Sequence, residues 1–368
     1  RVGTMALLGF LLAATTHGAE GDTGDGPTVS AVEFQRRTIY RSPQRPSFTC
    51  WTGIWLMPDD SLMVAFTQAT GPLKGRPKAP PEIRKRLDWP PPGRDYYDMT
   101  GLDMSNVYLS STDHGATWNK VSQDHFCSCM NGAAYHRSQL ALPDGTLLRC
   151  TWGRYLPYND PPVPQTGLTQ RSEDGSKTWQ PFQTLLDPEK YTMKVSKLDQ
   201  LRDGRLVAIG CAADIPATNQ LSRLALLYKQ YACMVVSTDD GRTWSQPITA
   251  VPPEHAENWR GDEFDVAELA NGDLLCVYRR VDPESAEGRE VCWQGLLKKH
   301  GDTWIPEQVK PAPFPLTGHP EMLATREGPA LYMATSGIHW TSDAGRTWHQ
   351  LNVPGTRYYP DSVQGSDG

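Results

Sequence analysis

Six residues hold one position relative to six tight turns, and their chemistry is concentrated. Nine places before turn residues 60, 145, 204, 272, 328 and 368 stand Trp51, His136, Val195, Glu263, His319 and Tyr359. One place further back stand Cys50, Tyr135, Lys194, Asp262, Gly318 and Tyr358. A carboxylate, two imidazoles, phenols and an indole at one register are proton-handling and sugar-reading groups.

The elements that must hold them follow from the turns. Asp59-Asp60, Asp144-Gly145, Asp203-Gly204 and Asn271-Gly272 each separate two apolar runs, Glu327-Gly328 is a weaker fifth corner, and the chain stops at Asp367-Gly368. Such corners signal hairpins. If each corner ends a strand, residues a fixed distance upstream lie on a common rim. A second pattern alternates with the first. Ser111-Thr112-Asp113-His114-Gly115-Ala116-Thr117-Trp118 returns at 237–244 and, with Thr341 leading, at 341–348. A further copy, 172–179, has its glycine one place early, and 300–304 is a worn remnant. Asp and Ser/Thr side chains bond turn backbone, Gly supplies positive φ, and Trp packs beneath. The corners lie 40 to 85 residues apart, the size of a four-stranded propeller blade with its loops. Six corners predict an all-β, six-bladed propeller of four-stranded antiparallel blades over residues 33–368, its last blade cut short at the C-terminus.

Composition agrees with many short strands: Gly 32, Pro 31 and Trp 12 in 368 residues. With 38% hydrophobic and 21% charged residues, the chain can build a core and is not disordered. A net charge of −6 excludes a basic nucleic-acid footprint.

The Ser/Thr-x-Asp repeats match the Asp boxes of the sialidase (neuraminidase) superfamily, and the chain resembles that family across roughly residues 33–368. The resemblance implies a propeller acting on glycans, in the sharp form an exo-acting hydrolase of sialic acid or a related acidic sugar. Residues 263–279 resemble the blade that carries a glutamate and, on the returning strand, a carboxylate-binding arginine, here Glu263 and Arg279. Sialidases use a tyrosine nucleophile, an exception among glycosidases. Tyr359, or Tyr358 beside it, falls at that tyrosine's place, with Glu263 as its base. The acid/base aspartate is Asp98 or Asp103, which precede the first Asp box. The family grips its carboxylate with three arginines, and only Arg279 transfers. Arg45, close to the first inner strand, and Arg137, Arg154 and Lys194 on other blades are the remaining cations for the substrate, beside His136, His319 and Trp51.

Residues 6–14 form an apolar run too short to span a bilayer. They read as a secretory signal ending near Ala19, followed by a linker over 20–32. The protein is therefore expected to be secreted or periplasmic, without a membrane span, and to act as a monomer. Cys127-Ser128-Cys129 lacks metal-ligand spacing, and Cys211, Cys233 and Cys276 lie in apolar runs, as buried thiols do. Trp152 and Trp259 read as blade packing, and residues 72–92 as an exposed rim loop. No phosphate loop, hydride-cofactor fingerprint or metal constellation occurs, so no cofactor is implied. Two rivals share the scaffold. His136 and His319 with Tyr135 could run β-elimination on a uronic acid, and a propeller short of arginines could bind glycans without cleaving them.

Overall fold

The computed structural model describes residues 5–14, 29–44, 47–72, 74–87, 93, 95, 98, 100–125, 134–151, 167–214, 230–256, 259, 263–282, 284–286, 288–307, 309–316 and 318–366. Their strands form a β-propeller. A hairpin of β1 (Met5–Ala14) and β2 (Val29–Tyr40) comes first. Blade one is β3 (Ser47–Leu56), β4 (Leu62–Thr70), β5 (Asp103–Ser111) and β6 (Asn119–His125). Blade two is β7 (Ala134–Ala141), β8 (Leu147–Thr151), β9 (Leu168–Ser172) and β10 (Gln183–Thr184). Blade three is β11 (Tyr191–Gln200), β12 (Leu206–Asp214), β13 (Tyr231–Ser237) and β14 (Ile248–Thr249). Blade four is β15 (Glu263–Glu268), β16 (Leu274–Val281), β17 (Glu290–His300) and β18 (Thr303–Pro306), with β19 (Lys310–Pro311) also on β17. Blade five is β20 (Met322–Ala324), β21 (Ala330–Ala334), β22 (Gly337–Thr341) and β23 (His349–Gln350).

The blades number five, not the six that the corners implied. Between blade five and blade one the described residues hold no further four-stranded sheet. That gap is bridged by irregular chain and by β2. The Asp361 carboxylate accepts the Ile54 N–H of blade one at 2.7 Å, and Ser362 Oγ donates to Glu321 beside blade five at 2.5 Å. Val29 packs on Leu331 and Ile338, while Ile39 and Tyr40 pack on Val64 and Phe66. The sixth corner, Asp367-Gly368, lies outside the described residues.

Sequence pattern and packing agree within the blades. The second strand of a blade is covered on both faces by its neighbours, so its two alternating faces are both apolar. In β12 every residue but Asp214 is buried. Val207 and Ile209 pack toward Phe264, Val266 and Tyr278 of blade four, and Leu206 and Ala208 pack toward Leu148 of blade two. Each fully buried large aliphatic contributes about 1.5–3 kcal/mol. The outermost strands β10, β14 and β23 are two residues long, too short to recruit another chain by edge pairing.

The repeated Ser/Thr-x-Asp turns join the third strand to the fourth. Ser111 Oγ donates to Asp113 at 2.7 Å and accepts the Gly115 N–H at 2.9 Å, while Asp113 accepts the Thr117 N–H and hydroxyl at 2.8 and 2.5 Å. The same bonds recur at Asp174, Asp239 and Asp343. The early glycine of the 172–179 copy is accommodated because two consecutive residues of the turn are left-handed: Gly175 has φ 67° and Ser176 φ 72°. Residues 300–304 instead make a tight hairpin through Gly301, with Trp304 Nε1 on the Gly272 carbonyl at 2.9 Å.

Corners and repeat turns share one end of the ring. The long connections share the other, where inner strands begin. Among them is the connection from β4 to β5, where residues 72–92, expected to be an exposed loop, contain a helix, α1 (Pro81–Leu87). No helix among the described residues is long and apolar enough to cross a membrane. Met5–Ala14, expected to be a leader, runs antiparallel to β2. Cys211, Cys233 and Cys276 are buried free thiols, as their apolar surroundings implied, and Cys150 and Cys292 join them.

Candidate active site

Glu263 opens β15 and Arg279 lies opposite it in β16, paired in register. Glu263 Oε2 accepts Arg279 Nη1 at 2.7 Å, and the same nitrogen donates to the Tyr358 hydroxyl at 2.8 Å. Arg279 Nε reaches Glu290 Oε2 at 3.0 Å, and Nη2 bonds that same oxygen. Burial alone would lower the pKa of Arg279, but the charge of Glu263, the hydrogen bonds that Arg279 donates to Glu290 and the charge of Glu290 outweigh it. The guanidinium is held above its ordinary value and stays charged.

His319 closes the other side. Its Nε2 is 3.9 Å from Glu263 Oε1, its Nδ1 is 2.9 Å from the Pro320 carbonyl, and only 1% of the residue is exposed. The Tyr359 ring lies 6.2 Å from the imidazole and 4.9 Å from Tyr358, edge to face. The Tyr pair is seated by Gly318. The His319 N–H donates to the Tyr358 carbonyl at 2.9 Å, and a Cβ on Gly318, whose φ is 87°, would come within 2.7 Å of that carbonyl oxygen. Tyr358 is exposed and its hydroxyl meets Arg279, whereas Tyr359, the residue in register, lies against His319.

The nine-residue count therefore brings Glu263, His319 and Tyr359 together, and Arg279 and Tyr358 join them. Val195 is fully buried in β11, and Lys194 beside it is partly buried opposite Cys211. Trp51 is buried at a bulge in β3, with φ 54°. The side chains of Tyr135, His136 and Arg137 fall outside what the structure describes, as do Arg45, Trp152 and Arg154. Among the described residues no second arginine contacts the Glu263 cluster. Asp98 is 1% exposed, and its two carboxylate oxygens accept the Ala79 and Thr100 N–H groups at 2.9 and 3.0 Å. Asp103 is exposed and opens β5 opposite Thr70, which pairs with Ser47, so it lies at the strand-start end of blade one. Trp259 is packing, as expected. With Trp293 it sandwiches the Arg280 guanidinium at 4.3 and 4.4 Å.

Two residues further along each inner strand lies a second ring that the nine-residue count did not reach. Lys197 Nζ donates to Asp265 at 2.9 Å, to Glu321 at 3.3 Å and to the Met322 carbonyl at 3.1 Å. Asp265 also accepts the Met322 N–H at 2.7 Å. Lys197, Asp265, Glu321 and Asp361 all stand seven places before a corner. Strand periodicity puts residues two apart on one face, so the same count moved by two would have found them. This ionic layer ties blades three, four and five together beneath the mouth. Toward the turn end, a cavity of about 550 Å³ is lined by Lys197, Gln139, Glu268, Arg326 and Asp361 among others. Glu263, Arg279, His319 and Tyr358 are not part of its wall. The convergent acid–base groups, rather than this hollow, mark the candidate site.

No protein-family model matches the chain, and no curated protein matches it. Solved structures do. A protein of unknown function from Dyadobacter fermentans superposes with TM-score 0.55 and 20% identity, covering 87% of this chain and 88% of its own. The α-L-arabinofuranosidase of Fusarium graminearum with arabinobiose gives TM-score 0.56 and 16% identity, covering 90% and 87%. The Penicillium chrysogenum α-L-arabinanase with arabinobiose gives 0.53 and 16%, covering 85% and 84%. At these identities the likeness establishes the propeller fold that the chain shares with glycosidases. Chemistry must come from the site.

Proposed function

We propose that the chain is a glycoside hydrolase working at the strand-start mouth on the terminal sugar of a glycan. The Tyr358 hydroxyl attacks the anomeric carbon and passes its proton to Glu263. Asp103 protonates the leaving oxygen as the glycosidic bond breaks; water then attacks the anomeric carbon with Asp103 acting as base, and Glu263 returns its proton to the departing Tyr358 oxygen. The observation that carries this reading is the single Arg279 nitrogen shared by Glu263 and Tyr358. A fixed positive charge there keeps Glu263 ionised as a base and favours the phenolate over the phenol. Asp103 is preferred to Asp98 because it is exposed at the strand-start end of blade one, whereas Asp98 is buried against the backbone of residues 79 and 100. Glycosidases among the structures of similar fold support action on glycans.

Tyr358→Phe and Glu263→Gln each should reduce turnover of a responsive aryl glycoside by about a hundredfold or more, with unfolding temperature unchanged. Tyr359→Phe should leave most of the activity. Full turnover in both Tyr358→Phe and Glu263→Gln would remove the mechanism. In the form the sequence resemblance suggests, the sugar is sialic acid. That form requires Arg279 to exchange Glu290 for the substrate carboxylate.

A further inference from the structure

We propose that Glu290 sets the charge selectivity of this mouth: it occupies the fork of Arg279, so that the sugar accepted there is uncharged at the group that meets the guanidinium. The inference rests on reading the mouth as a glycan site and names the class of sugar it takes.

A guanidinium has five N–H donors, and its Nε–Nη2 edge is the one that takes a carboxylate bidentately. In Arg279, Nη1 is spent on Glu263 and Tyr358, and the Nε–Nη2 edge is spent on one oxygen of Glu290. One N–H on Nη2 remains. An incoming carboxylate would find no fork, and at Arg279 it would meet the charges of Glu263 and Glu290. A hydroxyl has no such conflict. It can accept the remaining N–H and donate to Glu290, whose side chain is 43% exposed while that of Arg279 is 17% exposed. Glu290 is placed for this by the sheet: it opens β17 opposite Val281, two residues along from Arg279 and at the same end of blade four. Sequence spacing did not reveal it, because it lies on the third strand, outside any corner count.

The test measures binding rather than turnover. Wild type and Glu290→Gln are titrated by calorimetry with free N-acetylneuraminic acid, an anion, and with L-arabinose, which is uncharged, at low and high salt. Glu290→Gln should improve the anion-to-neutral affinity ratio by about tenfold at low salt, the scale of removing one nearby charge at a partly exposed site. The gain should shrink in high salt. Glu290→Ala, which removes the carboxylate altogether, repeats the measurement if the amide variant fails to fold. An unchanged ratio, a wild type that already prefers the anion, or binding of neither sugar by either protein would overturn the inference. If the ratio shifts as expected but no glycoside is ever hydrolysed, the selectivity stands and the hydrolase reading falls.

Discussion

The Glu263 carboxylate has partners on two sides, Arg279 at 2.7 Å and His319 at 3.9 Å, and its behaviour depends on both. Arg279→Lys keeps the charge but gives up the planar fork that touches Glu263, Tyr358 and Glu290 at once. Turnover should fall by about a hundredfold, the order found when one preorganised donor is removed from a reacting oxygen. Gly318 acts from behind the site. Gly318→Ala would press a methyl group on the Tyr358 carbonyl and hold a side chain at φ 87°, so turnover should drop and the unfolding temperature should fall with it. Steady-state kinetics beside a melting curve check both variants, and wild-type activity in Gly318→Ala would detach that close approach from function. Much of this cluster was legible in the sequence. Glu263, His319 and Tyr359 emerged from one count because each stands nine places before a corner, with Tyr358 one place further back. Which tyrosine points at Arg279 was not legible. The pair precedes no regular strand, so alternation could not orient it, and the Gly318 contact does so instead.

The repeat turns carry their own chemistry. Asp113 and Asp174 are held at about 2, first by the Thr hydroxyl and then by the Thr N–H. Asp239 and Asp343 also fall to about 2, because the same bonds outweigh burial, which pushes them upward. A carboxylate depressed from its ordinary 3.8 in the folded protein contributes stability that is complete above that value and lost as pH falls through the folded one. Stability to denaturant should therefore decline between about pH 4 and pH 2. Replacing all four aspartates by Asn should flatten that decline, and an equally steep one would locate the acid sensitivity elsewhere. Ala344 sits in the 341–348 turn at φ 59°, where a side chain costs about 1–2 kcal/mol relative to glycine. Ala344→Gly should raise the denaturation midpoint by an amount of that order. The turn signature was readable from residue types alone, since each bond in it is local. Within residues 72–92, by contrast, α1 was concealed, because its seven residues, three basic and one acidic among them, are too short to show a helical period.

At the scale of the ring, five blades share face-to-face cores, and the remaining interval is held by different means. Counting corners could not distinguish a blade from a bridging segment, because a corner reports a change of direction and not the sheet that follows it. Asp361 supplies the Ile54 N–H with its acceptor across that interval. Asp361→Ala should cost about 1–3 kcal/mol, the penalty for a partly buried donor left without a partner, measurable by urea unfolding. A variant as stable as wild type would place the closing energy in the apolar contacts of β2 instead.

Because that seam relies on a few side-chain-to-backbone bonds instead of a continuous ladder, it is where the ring should breathe first. The amide proton of Ile54 should exchange with deuterated solvent sooner than those of Val207 or Val277, which lie inside intact blades. Each such opening would briefly wet Glu321 and Lys197 from the side, loosening the floor on which the mouth rests without unfolding any blade.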